Sequence, residues 1–285
     1  MPLAATGDLV AAAVAAGTGC PAFNVVGLEH ATAVVAAAEQ REQPLIVQVS
    51  HNAVRYHGEL APIAAALVAM VRRARTPIAL HLDHAESADL VDEAIDLGFT
   101  SVMFDASSLE YTDNVDATAR VVRECHERGI WVEAELGEIG GKDGVHAAGA
   151  RTDPWQAARF VHDTGVDALA VAVGSSHAML SRDAVLDFDL ITRLSEVVPV
   201  PLVLHGSSGV SDADVASAVR AGLTKINIAT QLNKMFTTAV RESLTAEPAR
   251  VDPRRYLGAG RDAVTSEVMR LLDVVSPATT PATPM

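Results

Sequence analysis

The segment that decides the fold is PIALHLDHAESADLVDEAIDLGFTSVMFDA, residues 77–106. An apolar run stands at each end of it, and residues 86–97 between them follow a helical pattern. Apolar residues recur there at three- and four-residue spacings, as Ala88, Val91, Ala94 and Ile95. Ser87 stands where an N-cap would, and Gly98 stands just past the helix end. The segment therefore predicts a strand, a helix and a second strand.

The same alternation runs along the whole 285-residue chain. The short apolar runs are PAFNVV (21–26), PLIVQVS (44–50), PIALHLD (77–83), TSVMFDA (100–106), WVEAELG (131–137), ALAVAVG (168–174), PLVLHG (201–206) and KINIAT (225–230). The helix-like stretches are 28–41, 59–75, 86–97, 113–128, 154–164, 187–197, 211–221 and 231–245. Nearly continuous apolar strands that alternate with helices predict a parallel sheet covered by helices. Eight such units in this length predict a closed (β/α)8 or TIM barrel.

The chain reads as one domain. An open doubly wound sheet is the alternative, but it normally has a Gly-rich turn after its first strand, and residues 24–28, NVVGL, are not one. We expect a barrel domain over 1–275 that ends in a helical appendix, followed by a disordered Pro/Thr/Ala tail over 276–285. The Ala-rich N-terminus lacks a basic region, so it predicts a first helix rather than a signal peptide.

The charge balance limits the function classes. The formal net charge is −14 and the pI is about 5.0, which gives no electrostatic footprint for nucleic acid or an anionic membrane. No apolar run reaches the length of a membrane span. Cys20 and Cys125 have no CxxC spacing and predict ordinary thiols in a reducing cytoplasm.

Polar residues gather where the predicted strands end. Function in such a barrel sits at the C-terminal ends of the strands. The strand-end residues are Asn24, Ser50, His51, Asp83, His84, Asp105, Glu133, Glu135, the stretch GSSH (174–177), the stretch HGSSG (205–209), Asn227 and Thr230. If the strands are correctly predicted, these side chains share one mouth.

Three strand ends carry a histidine: His84, His177 and His205. Any one of them alone is more often an ordinary polar residue than a ligand, but three protein ligands with an open position define a catalytic zinc site. His81 is a candidate to support a ligand rather than to be one. We take the histidines on predicted helices or loops as surface residues: His30, His51, His57, His126, His146 and His162.

The strand-end carboxylates leave alternatives open. Asp83 either orients a neighbouring histidine or serves as a general acid and base beside the metal. Asp105 and Glu135 either form a second metal position or balance buried positive charge. The HGSSG turn at 205–209, with Asn227 and Thr230 after the next strand, is typical of a phosphate cradle at this place in a barrel.

The chain resembles the metal-dependent (class II) ketose-bisphosphate aldolases, which include fructose- and tagatose-bisphosphate aldolases. The resemblance covers nearly the whole chain in collinear segments. These are PAFNV (21–25), HLDH (81–84), SVMFDAS (101–107), EAELGEIGG (133–141), DALAVAVGSSHA (167–178), LVLHGSSGV (202–210), KINIAT (225–230) and DPRRYLGAGRDAV (252–264).

The resemblance implies a zinc-dependent aldolase that cleaves a ketose 1,6-bisphosphate to dihydroxyacetone phosphate and an aldehyde phosphate. It implies His84, His177 and His205 as the zinc ligands, Asp83 as the catalytic acid and base, and Asp105 and Glu135 as a second cation position. It also implies a homodimer or homotetramer. The implied substrate-binding residues are Asn24, Ser50, Ala178, Gly206, Ser207, Ser208, Asn227, Ile228, Ala229 and Thr230.

Departures from the family pattern surround the aldehyde half of the pocket. The loop GGKDGVH (140–146) lacks the family's glutamate, and Asp143 is the candidate to replace it as a catalytic residue. Ala178 replaces a usual Gly, His51-Asn52 replaces a usual Glu-Gly, and Ala229 stands where the fructose type tends to have Asp. A second phosphate has four candidate partners: Arg182, Arg254, Arg255 and Arg261.

Four readings therefore stay open beside the fructose type. One is the same chemistry on tagatose bisphosphate, and another is the same chemistry on a phosphorylated ketose from inositol or sulfosugar breakdown. A barrel metallohydrolase or isomerase, and a non-catalytic accessory subunit of an aldolase, are the more distant ones.

Overall fold

Eight parallel strands close into a barrel in chain order, with β8 paired to β1. The computed structural model describes residues 3–136, 150–177 and 179–277. The strands are β1 (Cys20–Asn24), β2 (Leu45–Ser50), β3 (Ile78–Ala85), β4 (Ser101–Phe104), β5 (Trp131–Glu135), β6 (Ala168–Ala170), β7 (Leu202–Leu204) and β8 (Leu223–Ile228). All eight predicted strands are present, so the predicted TIM barrel is confirmed.

Helices surround the barrel and alternate with its strands. They are α1 (Thr6–Ala16), α2 (Leu28–Arg41), α3 (His51–His57), α4 (Ala61–Val71), α5 (Ala88–Asp96), α6 (Tyr111–Glu127), α7 (Pro154–Thr164), α8 (Phe188–Val197), α9 (Asp212–Ala221), α10 (Thr230–Ala246) and α11 (Pro253–Val275). A short 3-10 turn, Ser207–Gly209, follows β7. The largest hydrophobic cluster lies between strands and helices, where the apolar helix faces are buried.

The first helix closes the N-terminal end of the barrel. Val10 and Ala13 of α1 pack with Ala22, Ile46 and Ala79 in a separate cluster. Small side chains at this level fill the interior, as in other eight-stranded barrels whose centre is packed rather than open. The opposite, C-terminal end of the barrel is left free for the polar strand ends.

The last helix completes the fold. Helix α11 packs on α2 and α10. Arg41 of α2 pairs with Asp273 at 2.6 Å, and the Gly19 N–H donates to the Val275 carbonyl at 2.9 Å. The helical appendix predicted after residue 245 is therefore part of the barrel's outer layer. The predicted disordered tail lies outside the described residues from position 278 onward.

Two details differ from the sequence-based expectation. The stretch predicted as one helix over 59–75 is α4, and a separate short helix, α3, precedes it. Ser50 causes the early start, because its side chain accepts from the Ala53 N–H and caps α3 directly at the end of β2. His30 was expected at the surface, but it is buried in α2 and stacks on Phe236 with ring centroids 4.8 Å apart.

The described part of the chain contains no helix that is both long and apolar enough to cross a membrane. Cys20 and Cys125 are buried and free.

The predicted helix boundaries are set by side-chain caps. Ser87 accepts from the Leu90 N–H at 3.3 Å at the start of α5, and Ser211 accepts from the Asp214 N–H at 3.1 Å at the start of α9. Gly98 and Gly222 past the ends of these helices have positive φ angles of 96° and 122°. Ser87 and Ser211 are therefore true N-caps, which satisfy N–H groups that have no partner within the helix.

We expect Ser87→Ala to lower the free energy of unfolding by about 1 kcal/mol, because the Leu90 N–H loses its acceptor. Chemical denaturation measures this. Ser266→Ala is the control: Ser266 is an exposed residue inside α11 whose hydroxyl donates to the Asp262 carbonyl. Alanine favours a helix interior, so this control should change stability little. Equal losses from both substitutions would contradict the capping role.

Candidate active site

A cavity of about 210 Å³ lies at the C-terminal ends of the strands, where the polar strand-end residues were expected to meet. Its predicted lining residues are Asn24, Ser50, Asp83, His84, His177, Gly206, Ser207, Ser208, Asn227, Ala229 and Thr230. Val25, Val26, Asn52, Ser176 and Asn233 also line it and had not been predicted to bind substrate. The Ile228 side chain is buried behind this wall. Ala178 and Asp143 lie outside the described residues.

Three histidine rings converge beside the cavity. The ring centroid of His84 lies 5.2 Å from that of His177 and 4.8 Å from that of His205, and the last two are 5.5 Å apart. Each offers a ring nitrogen within 4.8 Å of the others. Nε2 of His177 and Nδ1 of His205 are buried without a hydrogen-bond partner. Buried ring nitrogens that point at a common centre fit a tetrahedral metal ion with an open fourth position.

A second possible ligand group shares His84. It consists of His84, Asp105 and Glu135, again with ligand atoms within 4.8 Å of one another. Nδ1 of His84 lies 2.6 Å from Oδ2 of Asp105, and Ser107 donates to Oδ1 of Asp105 through its hydroxyl and its N–H. Burial disfavours the charged form of His84, but Asp83 and Asp105 beside it raise its pKa to about 9. Asp105 thus orients His84 whether or not it also holds a cation.

The backbone of β3 is irregular where it presents these groups. The register between β3 and β4 shifts between Leu82 and Ala85, and His84 has a φ of +52°. Positive φ is uncommon for a residue with a side chain and costs about 1–3 kcal/mol. Bulges of this kind redirect side chains next to active sites. Here the irregularity brings Asp83 and His84, which are adjacent in sequence, to the same cavity.

Asp83 is a buried carboxylate held by two amides. Nδ2 of Asn24 donates to its Oδ2 at 2.7 Å, and Nδ2 of Asn227 lies 3.5 Å from its Oδ1. Burial by itself raises the pKa of this carboxyl, but the neighbouring His84 and His205 hold the pKa below its usual value. The carboxylate is therefore ionised at neutral pH and can accept a proton from a group in the cavity.

A fully buried charge network lies beneath the histidines. Oε1 of Glu133 is 2.9 Å from Nε2 of His205, and Oε2 of Glu133 is 2.8 Å from Nζ of Lys225. Burial alone would raise the pKa of Glu133, but Lys225 and His205 hold it well below the usual range. Because a carboxylate only accepts, Nε2 of His205 carries the proton and Nδ1 is left to face the metal position.

Sequence reasoning listed Glu133 at a strand end but gave neither it nor Lys225 a role. The available signal was a charged residue at an inward-facing position of an apolar strand, as in WVEAE and KINI. His81, the expected support for a ligand, lies deeper in the barrel. Its Nδ1 is 2.7 Å from the Ser101 hydroxyl, and its Nε2 is 3.8 Å from Oε2 of Glu133.

The predicted anion cradle is formed by the turn after β7 and the start of α10. Gly206 has a φ of +67° and is followed by the Ser207–Gly209 turn. The Ser207 hydroxyl donates to the Asn227 carbonyl at 2.5 Å, and the Ser208 hydroxyl accepts from the Gln231 N–H at 3.0 Å. These bonds fix the turn against the N-terminus of α10, where the Gln231 N–H donates to the Ser208 hydroxyl and the Leu232 and Asn233 N–H groups donate to the Ala229 carbonyl. The Ser208 hydroxyl keeps its own hydrogen, which can be donated to an anion.

None of the four candidate partners of a second phosphate, Arg182, Arg254, Arg255 and Arg261, is among the described residues that line the cavity. Arg182 donates to the Val210 carbonyl, and Arg254 and Arg261 pair with the neighbouring Asp252 and Asp262. Among the described residues, no lysine or arginine lines the cavity. The described lining also includes the neutral amide side chains of Asn52 and Asn233.

The comparisons with known proteins all identify the same family. The model of the family "Fructose-bisphosphate aldolase class-II" matches residues 4–279. A probable fructose-bisphosphate aldolase of Bacillus subtilis (strain 168) is 38% identical over 94% of this chain and 96% of its own. A fructose-bisphosphate aldolase of Geobacillus stearothermophilus is 39% identical over 87% of this chain and 88% of its own. The YdjI aldolase from Escherichia coli K12 has a similar structure, with a TM-score of 0.86 and 32% identity over 97% and 98% of the two chains.

We expect Gly206→Ala to destabilise the protein more than Gly17→Ala does. Both glycines have a φ near +65°, so both substitutions carry the same backbone strain. A Cβ at Gly206 would lie 2.4 Å from the Ser176 carbonyl oxygen, whereas a Cβ at Gly17 meets nothing within 4 Å. The clash should cost about 1–3 kcal/mol beyond the shared strain. Chemical denaturation of the two variants measures the difference, and equal stability would show that Gly206 can move away from Ser176 freely.

Proposed function

Since the chain belongs to the class II fructose-bisphosphate aldolase family, we propose that it cleaves a ketose 1,6-bisphosphate with the help of a bound zinc ion. The products are dihydroxyacetone phosphate and an aldehyde phosphate, and the reaction is reversible. One observation carries the proposal: three histidine nitrogens converge beside the buried carboxylate Asp83, at a cavity that the residues of the predicted anion cradle also line. This combination suits carbon–carbon bond cleavage next to a ketone that carries a phosphate.

His84, His177 and His205 would hold the zinc ion, and Asp105 and Glu135 with His84 would form a second cation position. When bound, zinc supplies a Lewis acid for the negative charge that develops on the ketone half of the substrate. Glu133 holds Nε2 of His205 and would leave Nδ1 of that ring for the ion, whereas Asp105 holds Nδ1 of His84 and would leave Nε2. No lysine is needed as an imine former, because the buried Lys225 is engaged with Glu133 and Asn227.

The phosphate of the dihydroxyacetone half would lie in the cradle. Gly206, Ser207 and Ser208 approach it from the turn after β7, and Asn227, Ala229 and Thr230 approach it from the end of β8, with the Ile228 backbone between them. Such N–H groups and hydroxyls bind an oxyanion without a cationic side chain. Asn24 and Ser50 lie across the cavity, where they can contact the carbonyl region of the substrate.

Asp83 would move the proton. In cleavage, its carboxylate takes the proton from the C4 hydroxyl, and in condensation it returns that proton to the new hydroxyl. Asn24 holds one carboxylate oxygen at 2.7 Å, so the carboxylate cannot rotate freely and its other oxygen stays near Asn227. Asp143 is proposed to exchange the proton on dihydroxyacetone phosphate in place of the family's loop glutamate.

A second candidate substrate deserves equal testing. The described cavity lining has no lysine or arginine, and Asn52 and Asn233 contribute neutral amide side chains to it. A phosphorylated ketose whose distal end is neutral would suit these walls. A ketose phosphate from inositol or sulfosugar breakdown would undergo the same chemistry with a different aldehyde product. Tagatose 1,6-bisphosphate would also undergo it, and it differs from the fructose substrate in stereochemistry and not in the charge of its distal end. The retained histidines and Asp83 argue against a non-catalytic accessory subunit.

We propose that the enzyme acts as a homodimer or homotetramer in the cytoplasm. The resemblance to the aldolase family supports the oligomer. Two free, buried thiols suit a reducing compartment.

We expect metal-dependent release of triose phosphate from at least one phosphorylated ketose. A coupled assay with fructose 1,6-bisphosphate, tagatose 1,6-bisphosphate and ketose 1-phosphates measures it. EDTA should abolish the activity and added zinc should restore it, because the His84, His177 and His205 nitrogens then regain their ion. Full activity after complete metal removal would reject the metal-dependent mechanism.

Asp83→Ala should lower cleavage by a factor of about 100 to 10,000, which is the usual contribution of a general acid–base group. Zinc content and proton exchange on dihydroxyacetone phosphate should survive, since neither requires the C4 hydroxyl to be deprotonated. Isotope exchange into dihydroxyacetone phosphate measures the surviving step. Asp96→Ala, which removes an exposed carboxylate on α5, is the matched control. Normal cleavage by Asp83→Ala would assign the proton transfer to another group.

A further inference from the structure

Lys225 occupies an unusual place for a lysine. It lies in β8 beneath the active-site cavity, and its side chain is completely buried. Its Nζ reaches two acceptors, each at 2.8 Å: Oε2 of Glu133 and Oδ1 of Asn227. It does not line the cavity and is not among the possible metal ligands. Burying a lysine carries a desolvation penalty, which is offset only if an opposite charge and hydrogen-bond acceptors surround the ammonium group. A lysine at this position therefore indicates a specific role.

The direction of the hydrogen bonds follows from the chemistry of the groups. An ammonium can only donate, so the atom of Asn227 that faces Lys225 must be the amide oxygen. The amide NH2 then points the other way, toward Oδ1 of Asp83. Without a donor at Lys225, nothing in this contact distinguishes the oxygen of the amide from its nitrogen. A reversed Asn227 would present its oxygen to the Asp83 carboxylate, and two acceptors would repel each other.

The opposite oxygen of Asp83 is held in an equivalent way. Nδ2 of Asn24 donates to Asp83, and the oxygen of Asn24 accepts from Nε2 of Gln48 at 2.9 Å. Gln48 is an amide and can itself reverse, whereas Lys225 cannot. Asn227 therefore lies between two groups of fixed polarity, Asp83 and Lys225, which require the same direction of its amide, whereas Asn24 has such a group on its Asp83 side only.

We propose that Lys225 is a positioning residue that fixes the direction of the Asn227 amide and thereby the donor that Asp83 and the cavity receive. The inference rests on the proposed function, because it assigns to Asn227 a donor role toward Asp83 and substrate. The competing role for Lys225 is structural: neutralising Glu133, with which it forms a buried ion pair. The two roles differ in what happens when both charges are removed together.

The decisive comparison is between Glu133→Gln and the double variant Glu133→Gln/Lys225→Met. The first keeps Lys225 and its bond to Asn227. The second removes both buried charges, which avoids the unpaired carboxylate that Lys225→Met alone would leave. If Lys225 directs Asn227, kcat of the double variant should lie about 100-fold below that of Glu133→Gln, comparable to the loss of one transition-state donor. Activity within about threefold of Glu133→Gln would leave Lys225 with the structural role only.

A double-mutant cycle identifies the residue through which Lys225 acts. Once Asn227→Ala has removed the amide, the further loss of Lys225 in the Glu133→Gln background should change kcat by less than about threefold, since coupled residues are not additive. Fully multiplicative losses would overturn the proposal. Lys234→Met, the same substitution at a partly exposed lysine, controls for the loss of a positive charge from the chain.

The readout without turnover is a neutron diffraction structure of Glu133→Gln/Lys225→Met, because neutrons distinguish the amide nitrogen of Asn227 from its oxygen, which X-rays at ordinary resolution do not. The proposal expects the Asn227 side chain to leave its contact with Asp83 or to rotate. An Asn227 that keeps its position and its partners would reject the proposal, whatever the activity of the variant. If wild-type protein cleaves no phosphorylated ketose, the proposed function fails, while the structure of the variant still decides the role of Lys225.

Discussion

The pairing of β8 with β1 is the constraint on which the active site depends. That pairing closes the barrel and sets Ala22 opposite Asn227. It brings Asn227 of β8 and Asn24 of β1 to the two oxygens of Asp83 on β3. In an open sheet with the same strand order, β8 would lie at one edge and β1 at the other, and no local preference of either strand could bring Asn227 next to Asn24 and Asp83. Closure is thus a condition for the chemistry and not only for stability.

Closure also creates an interior in which charge must be balanced. Glu133 and Lys225 are completely buried, as is His205 between Glu133 and the other histidines. A buried ion pair of this kind is weak evidence for stability, because hydrophobic replacements often serve as well. What the pair does achieve is orientation: it holds His205 with one nitrogen toward Glu133 and the other toward the candidate metal position.

Most of the fold and the candidate metal site could be predicted from sequence, for a physical reason. Strand ends in a parallel barrel meet at one rim, so the order of residues along each strand is enough to bring His84, His177 and His205 together. The capping roles of Ser87 and Ser211 could also be predicted, because an N-cap is a local interaction. Helix α3 could not be predicted, because Ser50 is both the end of a strand and the cap of that helix. The burial of His30 could not be predicted either, because it depends on stacking with Phe236, which is distant in the sequence.

Hydrogen-bond direction is the part of the site that sequence could not supply. Asn24, Gln48 and Asn227 can each face either way, and the choice depends on what lies on both sides of the amide. The ionised groups remove that freedom: Asp83 only accepts and Lys225 only donates. The positions of Asp83 and Lys225 relative to each other depend on the register of β3 against its neighbours and on the register of β8 against β1 and β7. In the sequence, the site consists of histidines and carboxylates at strand ends. In three dimensions, its neutral amides also matter, and a few charged groups determine the direction of their hydrogen bonds.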